Sequence, residues 1–154
     1  MAEFKYNEYT SSGPRHSFFY LLAPLLTMIN KADNRCILDL GCGNGYLVST
    51  LVKEGYNAYG TDASESGIAL AKQEYPDRFF LQDLSTGLLP SQLMALAFDT
   101  IISTEVIEHL YDAPGFVDFC KQALMKNGTL IISTPYHGYL KNLVLSIFNK
   151  WDKH

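Results

Sequence analysis

Residues 37–45, Ile37-Leu38-Asp39-Leu40-Gly41-Cys42-Gly43-Asn44-Gly45, constrain the fold of this chain more than any other stretch. An apolar run carrying one acid meets three glycines at alternate positions, and a helical pattern opens directly behind them. Glycine is used where the backbone must take a positive φ or let another group come close. A helix that starts straight after such a turn presents unpaired N–H groups and the positive end of its dipole. Strand, tight turn and helix in this order point to a nucleotide-type cofactor. The spacing narrows the choice. A dinucleotide fingerprint, G-x-G-x-x-G/A, needs a small residue where Tyr46 stands, and a phosphate-binding loop needs a Lys that does not follow here.

The rest of the chain keeps the same alternation. Residues 16–30 read as an apolar helix, broken before Pro24. Strands are predicted at 36–40, 57–61, 78–82, 98–103 and 129–133. Helices are predicted from Tyr46 to Glu54, stopped by Gly55, and behind an N-cap at Ser64, ending before Pro76. Further helical segments are a short one at 105–111, one at 114–125 that starts on Pro114, and one at 139–150. Strict alternation implies an α/β fold, a Rossmann-like three-layer sandwich whose mainly parallel sheet is covered on both faces. Right-handed crossovers put every strand C-terminus on one edge, where ligands bind. Asp39, Asp62, Asp83 and the pair Thr104-Glu105 all fall just past or at a predicted strand end. The chain divides into an N-terminal helical lead or lid, 1–35, and a core, 36–154.

Composition sets limits. A chain of 154 residues with 47% hydrophobic and 13% aromatic content has a core and room for one domain. A net charge of −4 without a Lys/Arg block argues against nonspecific nucleic-acid or membrane adhesion, while a specific RNA partner stays open. No apolar run approaches membrane-spanning length and the start does not resemble a signal peptide. Cys36, Cys42 and Cys120 are an odd count without metal spacing, which fits reduced thiols in the cytoplasm.

The form Asp39-x-Gly41-x-Gly43-x-Gly45 resembles motif I of the Rossmann-like S-adenosylmethionine-dependent methyltransferases. Ser103-Thr104-Glu105-Val106-Ile107-Glu108-His109-Leu110 resembles the segment after the fourth strand in the ubiquinone-pathway O-methyltransferases, and also in metal-dependent small-RNA 2′-O-methyltransferases. Leu124 to Leu130 corresponds to the family's L-K-P-G-G turn, with Asn127 and Gly128 as a departure, and Ser133-Thr134-Pro135 also fits. The likeness covers roughly residues 36–135. It implies S-adenosylmethionine as cofactor, held at Asp39, Gly41, Cys42 and Gly43, at Asp62 and Ala63, at Asp83 and Leu84, and at Thr104. Asp39 would face the cofactor's ammonium. Asp62 stands where a Rossmann-like sheet meets ribose hydroxyls, although an acid there also stabilises a helix N-terminus. Asp83 and the Leu84 N–H would meet the adenine, although acids are common in such loops. Arg15, in the lead, would pair with the cofactor's carboxylate, and Tyr6, Tyr9, Phe18 and Phe19 would either close over the sulfonium or pack on the sheet.

Glu105, Glu108 and His109 allow three readings. His109 is a general base for an acceptor hydroxyl, with Glu105 beside it. Alternatively the three side chains, on one face of a short helix, hold Mg²⁺ or another divalent cation that acidifies the hydroxyl. The plain reading is two acids at a helix start and a packed histidine. His137 and His154 are further candidate ligands, and Tyr136, His137 and Tyr139 candidate lining of an acceptor pocket. The expected activity is methyl transfer to an oxygen of a small molecule, lipid or sugar. Rivals are an RNA 2′-O-methyltransferase, a nicotinamide-dependent oxidoreductase disfavoured by Tyr46, and a non-catalytic binding module. Such folds continue through two further strands, so an incomplete sheet edge is expected to favour an oligomer or a partner.

Overall fold

The computed structural model describes residues 8–14, 18–29 and 35–135. Five strands form one sheet in the order β3-β2-β1-β4-β5: β1 Ile37–Leu40, β2 Ala58–Asp62, β3 Phe79–Leu81, β4 Phe98–Thr104 and β5 Leu124–Ser133. Every neighbouring pair is parallel. The chain adds strands outward from β1 through β2 to β3, then returns to the other side of β1 with β4 and β5. The strand order therefore reverses between β1 and β4, and the ends of those two strands border the crevice where α/β sheets bind ligands.

Side chains alternate across β1. Ile37 joins Ala58, Phe79, Ile102 and Ile131 on one face, covered by α2 (Tyr46–Lys53) through Leu47, Val48 and Leu51, and by α3 (Glu65–Ala71) through Ile68 and Ala71. Leu38 and Leu40 join Ile101 on the other, under Phe116, Phe119 and Cys120 of α4 (Ala113–Ala123) and the loop residue Leu93. A strand buried on both faces must be apolar almost throughout, which is why β1 tolerates a single acid, Asp39, at the ligand-binding end. The helix α1 (Phe18–Met28) packs Leu25 into the first core and sets Phe18 edge-on to Tyr46, ring centres 4.5 Å apart.

Local signals account for most boundaries. Ser64 caps α3 by accepting the Gly67 N–H, and Asp112 caps α4 by accepting the Gly115 N–H. Three expectations need correction. Pro24 does not break α1; it lies inside the helix on its exposed side, while Leu25 anchors the buried side. The fifth strand begins at Leu124, directly from α4, not at 129. Phe98 pairs with Leu124 and Thr100 already with Thr129, so the expected turn at Asn127-Gly128 is a bulge within β5, with Asn127 at φ 65°. The segment 105–111 is not a helix but one 3₁₀ turn, Ile107–His109. The helix expected at 139–150 lies outside the described residues.

Candidate cofactor and active site

A cavity of about 130 Å³ opens at the switch point, bordered by the turn after β1 and the end of β4. Asp39, Gly41, Cys42, Gly43, Thr104 and Glu105 line it, together with Tyr9, Asn44, Tyr46, Leu47 and the α1 residues Phe18, Leu21 and Leu25. Two glycines have steric reasons to be there. Gly41 sits at φ 82° with Val106 packed where a Cβ would project, and Gly43 at φ 57° with the Tyr9 ring in the corresponding place. The turn is thus covered by a residue from after β4 and by one from the N-terminal segment. Asn44 ties that segment down, its Nδ2 donating to the carbonyls of Ser11 at 2.9 Å and Gly13 at 2.8 Å.

Asp39 is the unusual member. It is 2% exposed, and its Oδ1 is buried without a hydrogen-bond partner. A buried carboxylate oxygen left unpaired is costly, and native proteins accept such a group where a ligand meets it. Burial foremost, and then the charge of Asp62, push the Asp39 carboxyl up to about 8. Burial also drives the Cys42 thiol well above its usual range, with Asp39 and Asp62 adding to the effect. Cys42 is buried in the turn and lines the cavity.

Asp62, at the end of β2, accepts the Gly43 N–H through Oδ2 and the Ser64 N–H through Oδ1, both at 2.7 Å. These bonds fix the carboxylate against the glycine turn. A carboxylate has about four acceptor positions, and these two bonds use half of them. Asp83 accepts the Ser85 N–H at 2.9 Å and opens the 3₁₀ turn Leu84–Thr86, whose Leu84 is partly buried against the second core. Asp62, Ala63, Asp83 and Leu84 follow the ends of β2 and β3 on the cavity's edge of the sheet but do not line the cavity itself. Beneath them Gln82 donates its backbone N–H to the Asp62 carbonyl and its Nε2 to the Leu88 carbonyl, linking strand end to loop.

Glu105 stands at φ 57°, in the left-handed region. Ser133 of β5 holds it twice: the Glu105 N–H donates to the Ser133 carbonyl at 3.1 Å, and the Ser133 hydroxyl donates to Glu105 Oε1 at 2.9 Å. Extending β4 one residue along β5 prevents a helix from starting at 105, and the left-handed residue then turns Val106 back onto Gly41. The expected common face of Glu105, Glu108 and His109 is therefore absent. Glu105 lines the cavity, whereas Glu108 and His109 are exposed on the 3₁₀ turn. Among the described residues no group of three His, Cys, Asp or Glu side chains could hold a metal ion, which corrects the divalent-cation reading of Glu105, Glu108 and His109. Arg15, Tyr6, Tyr136, His137, Tyr139 and His154 lie outside the described residues. Of Tyr6, Tyr9, Phe18 and Phe19, those within the described residues divide: Tyr9 and Phe18 line the cavity and Phe19 is exposed.

Sequence reasoning missed Ser133, Val106 and Asn44 as site-building residues. Ser133 gave the nearest thing to a signal, in the Ser133-Thr134-Pro135 match, yet nothing local shows that its hydroxyl meets Glu105.

A family profile described as a methyltransferase domain matches residues 15–152, and the chain belongs to that family. It is 33% identical over 111 residues to a ubiquinone biosynthesis O-methyltransferase of Bradyrhizobium diazoefficiens, covering 72% of this chain and 44% of the relative. Among solved structures, it superposes on magnesium protoporphyrin IX methyltransferase from Synechocystis PCC 6803, solved with bound SAH (S-adenosylhomocysteine). That match has a TM-score of 0.67 at 22% identity and covers 90% of this chain and 63% of the other. An S-adenosylmethionine-dependent methyltransferase from Mesorhizobium loti gives a TM-score of 0.64 at 27% identity, covering 74% and 53%. The fold is thus the Rossmann-like methyltransferase fold, and the chain spans about half the length of the curated relatives it matches. Among the described residues no helix is long and apolar enough to cross a membrane.

Proposed function

We propose that this chain is the cofactor-binding part of an S-adenosylmethionine-dependent methyltransferase that modifies an oxygen of a small-molecule, lipid or sugar acceptor. The observation that carries the reading is Asp39 Oδ1, buried and unpartnered in a cavity at the switch point beneath a glycine turn. An acceptor in that position suits an ammonium and would repel a pyrophosphate. The cavity is below the few hundred Å³ typical of whole-ligand pockets and fits the amino-acid end of the cofactor alone.

When bound, the cofactor supplies a methyl group on a positively charged sulfur. The chain's own residues have to hold, orient and remove a proton. Asp39 accepts from the ammonium, and the backbone at Gly41, Cys42 and Gly43 lets the ligand approach. Asp62, next to Ala63, has acceptor positions left for ribose hydroxyls. Asp83 and the Leu84 N–H are a matched acceptor and donor for adenine, and Thr104 borders the cavity at the end of β4. We assign Glu105, held by Ser133, to orienting the acceptor's hydroxyl, and His109, on the turn that follows, to taking its proton. The relative named for ubiquinone biosynthesis favours an oxygen acceptor, and the net charge of −4 disfavours RNA.

A second reading has its own observation. Because the chain spans about half of its relatives, these residues can bind the cofactor and yet turn over only when the rest of an acceptor pocket, or a partner, is supplied. Calorimetric titration with S-adenosylhomocysteine tests the shared part. Micromolar binding is expected, and turnover of S-adenosylmethionine with candidate acceptors then separates the two readings. A folded chain that binds nothing overturns both.

A further inference from the structure

The cavity has an uneven charge budget. Glu105 lines it from the end of β4, the charge of Asp62 at the end of β2 acts on Asp39, and Cys42 sits in the turn itself. Tyr9 and Tyr46 close it from the N-terminal segment and α2, and α1 contributes apolar side chains only. No Lys, Arg or His among the described residues lines it. An ionised Asp39, at 2% exposure and with Oδ1 unpaired, would have no counter-charge among the described residues that line the cavity. A carboxylate placed like that keeps its proton until a cation arrives.

We propose that the site reads its ligand's amino group by proton exchange: Asp39 is protonated while nothing faces it, and it releases that proton to solvent when a ligand's ammonium settles against the buried oxygen. The inference rests on the functional reading above and adds a linkage to it. The ammonium keeps its three hydrogens, the Asp39 O–H bond breaks, and one proton leaves per ligand bound. The pair formed is neutral, so the site gains a counter-ion without a net charge being buried. Binding of an amino-bearing ligand therefore tightens as pH rises, whereas a ligand that fills the nucleoside positions without an amino-acid end is indifferent. The upward displacement of the Asp39 carboxyl to about 8 agrees with this direction.

The experiment is calorimetric titration of the whole chain with S-adenosylhomocysteine at pH 7, in buffers of widely different ionisation enthalpy, alongside 5′-methylthioadenosine, which has no amino acid. The expected result is close to one proton released per S-adenosylhomocysteine and none per 5′-methylthioadenosine. Affinity for S-adenosylhomocysteine should rise about tenfold between pH 6 and pH 7, following one-proton linkage. Asp39→Asn should remove both the proton release and the pH dependence of whatever binding is left. S-adenosylhomocysteine binding with no proton release, or equal release with both ligands, overturns the proposal while leaving the functional reading standing. Persistent release by Asp39→Asn also overturns it, since the proton then comes from another group. A folded chain that binds neither ligand overturns the functional reading itself.

Discussion

Asp39 and Gly43 show how single residues in this turn exchange stability for a binding surface. Asp39 has a raised carboxyl, so the folded protein holds a proton that the unfolded chain gives up near pH 4. Its contribution to stability is present below that pH and is lost progressively as pH rises toward about 8. Asp39→Asn should therefore be more thermostable than the parent, by a margin that widens from pH 5 to pH 8, and should bind S-adenosylhomocysteine poorly. Melting curves across that range check it; a margin independent of pH would show that Asp39 is ionised throughout. Gly43 is constrained both by its φ of 57° and by the Tyr9 ring. Gly43→Ala should cost about 1–3 kcal/mol in denaturant unfolding, as expected for a strained backbone and a displaced neighbour. The acid and the glycines were legible in the sequence because their spacing is local. The unpaired oxygen was not, since it depends on β2, β4 and the N-terminal segment closing around one side chain.

Among the elements, those whose signals are local match their predicted positions. β1 is an apolar run carrying one acid, β2 and β4 fall within one residue of their predicted bounds, and α3 starts at the cap Ser64. The turn after β4 does not match, because its conformation is decided from outside. Glu105 is held by Ser133, a partner 28 residues away, and this contact replaces the helix suggested by Glu105, Glu108 and His109. Likewise the bulge in β5 arises from pairing with β4, whereas Asn127-Gly128 alone reads as a loop. Two substitutions separate stability from the site. Asp112→Ala removes the α4 cap on the exposed surface and should cost about 1 kcal/mol while leaving S-adenosylhomocysteine affinity unchanged. Ser133→Ala frees Glu105, and if a turnover assay is in hand it should lower kcat more than it raises KM, with Ser133→Thr restoring most of the loss. Equal changes in kcat and KM for the alanine and threonine variants would make Ser133 a packing residue only.

For the molecule as a whole, the reversal of strand order between β1 and β4 puts residues distant in sequence at a single opening. That architecture was legible because alternating strands and helices with right-handed crossovers leave few topologies. Which side chains finish the opening was less so, since Tyr9 reaches it by packing on Gly43 while Val106 backs the turn at Gly41. A ligand bound only by the folded form stabilises it by mass action, so S-adenosylhomocysteine at one hundred times its dissociation constant should add about 2.7 kcal/mol. The location of binding is the more direct question, and amide hydrogen exchange with and without S-adenosylhomocysteine answers it. Slower exchange should be concentrated at 41–46 and 104–106, with a smaller effect at 83–85. Unchanged exchange in those segments, or protection confined to another part of the chain, would show that the cofactor does not bind at the β1–β4 switch point.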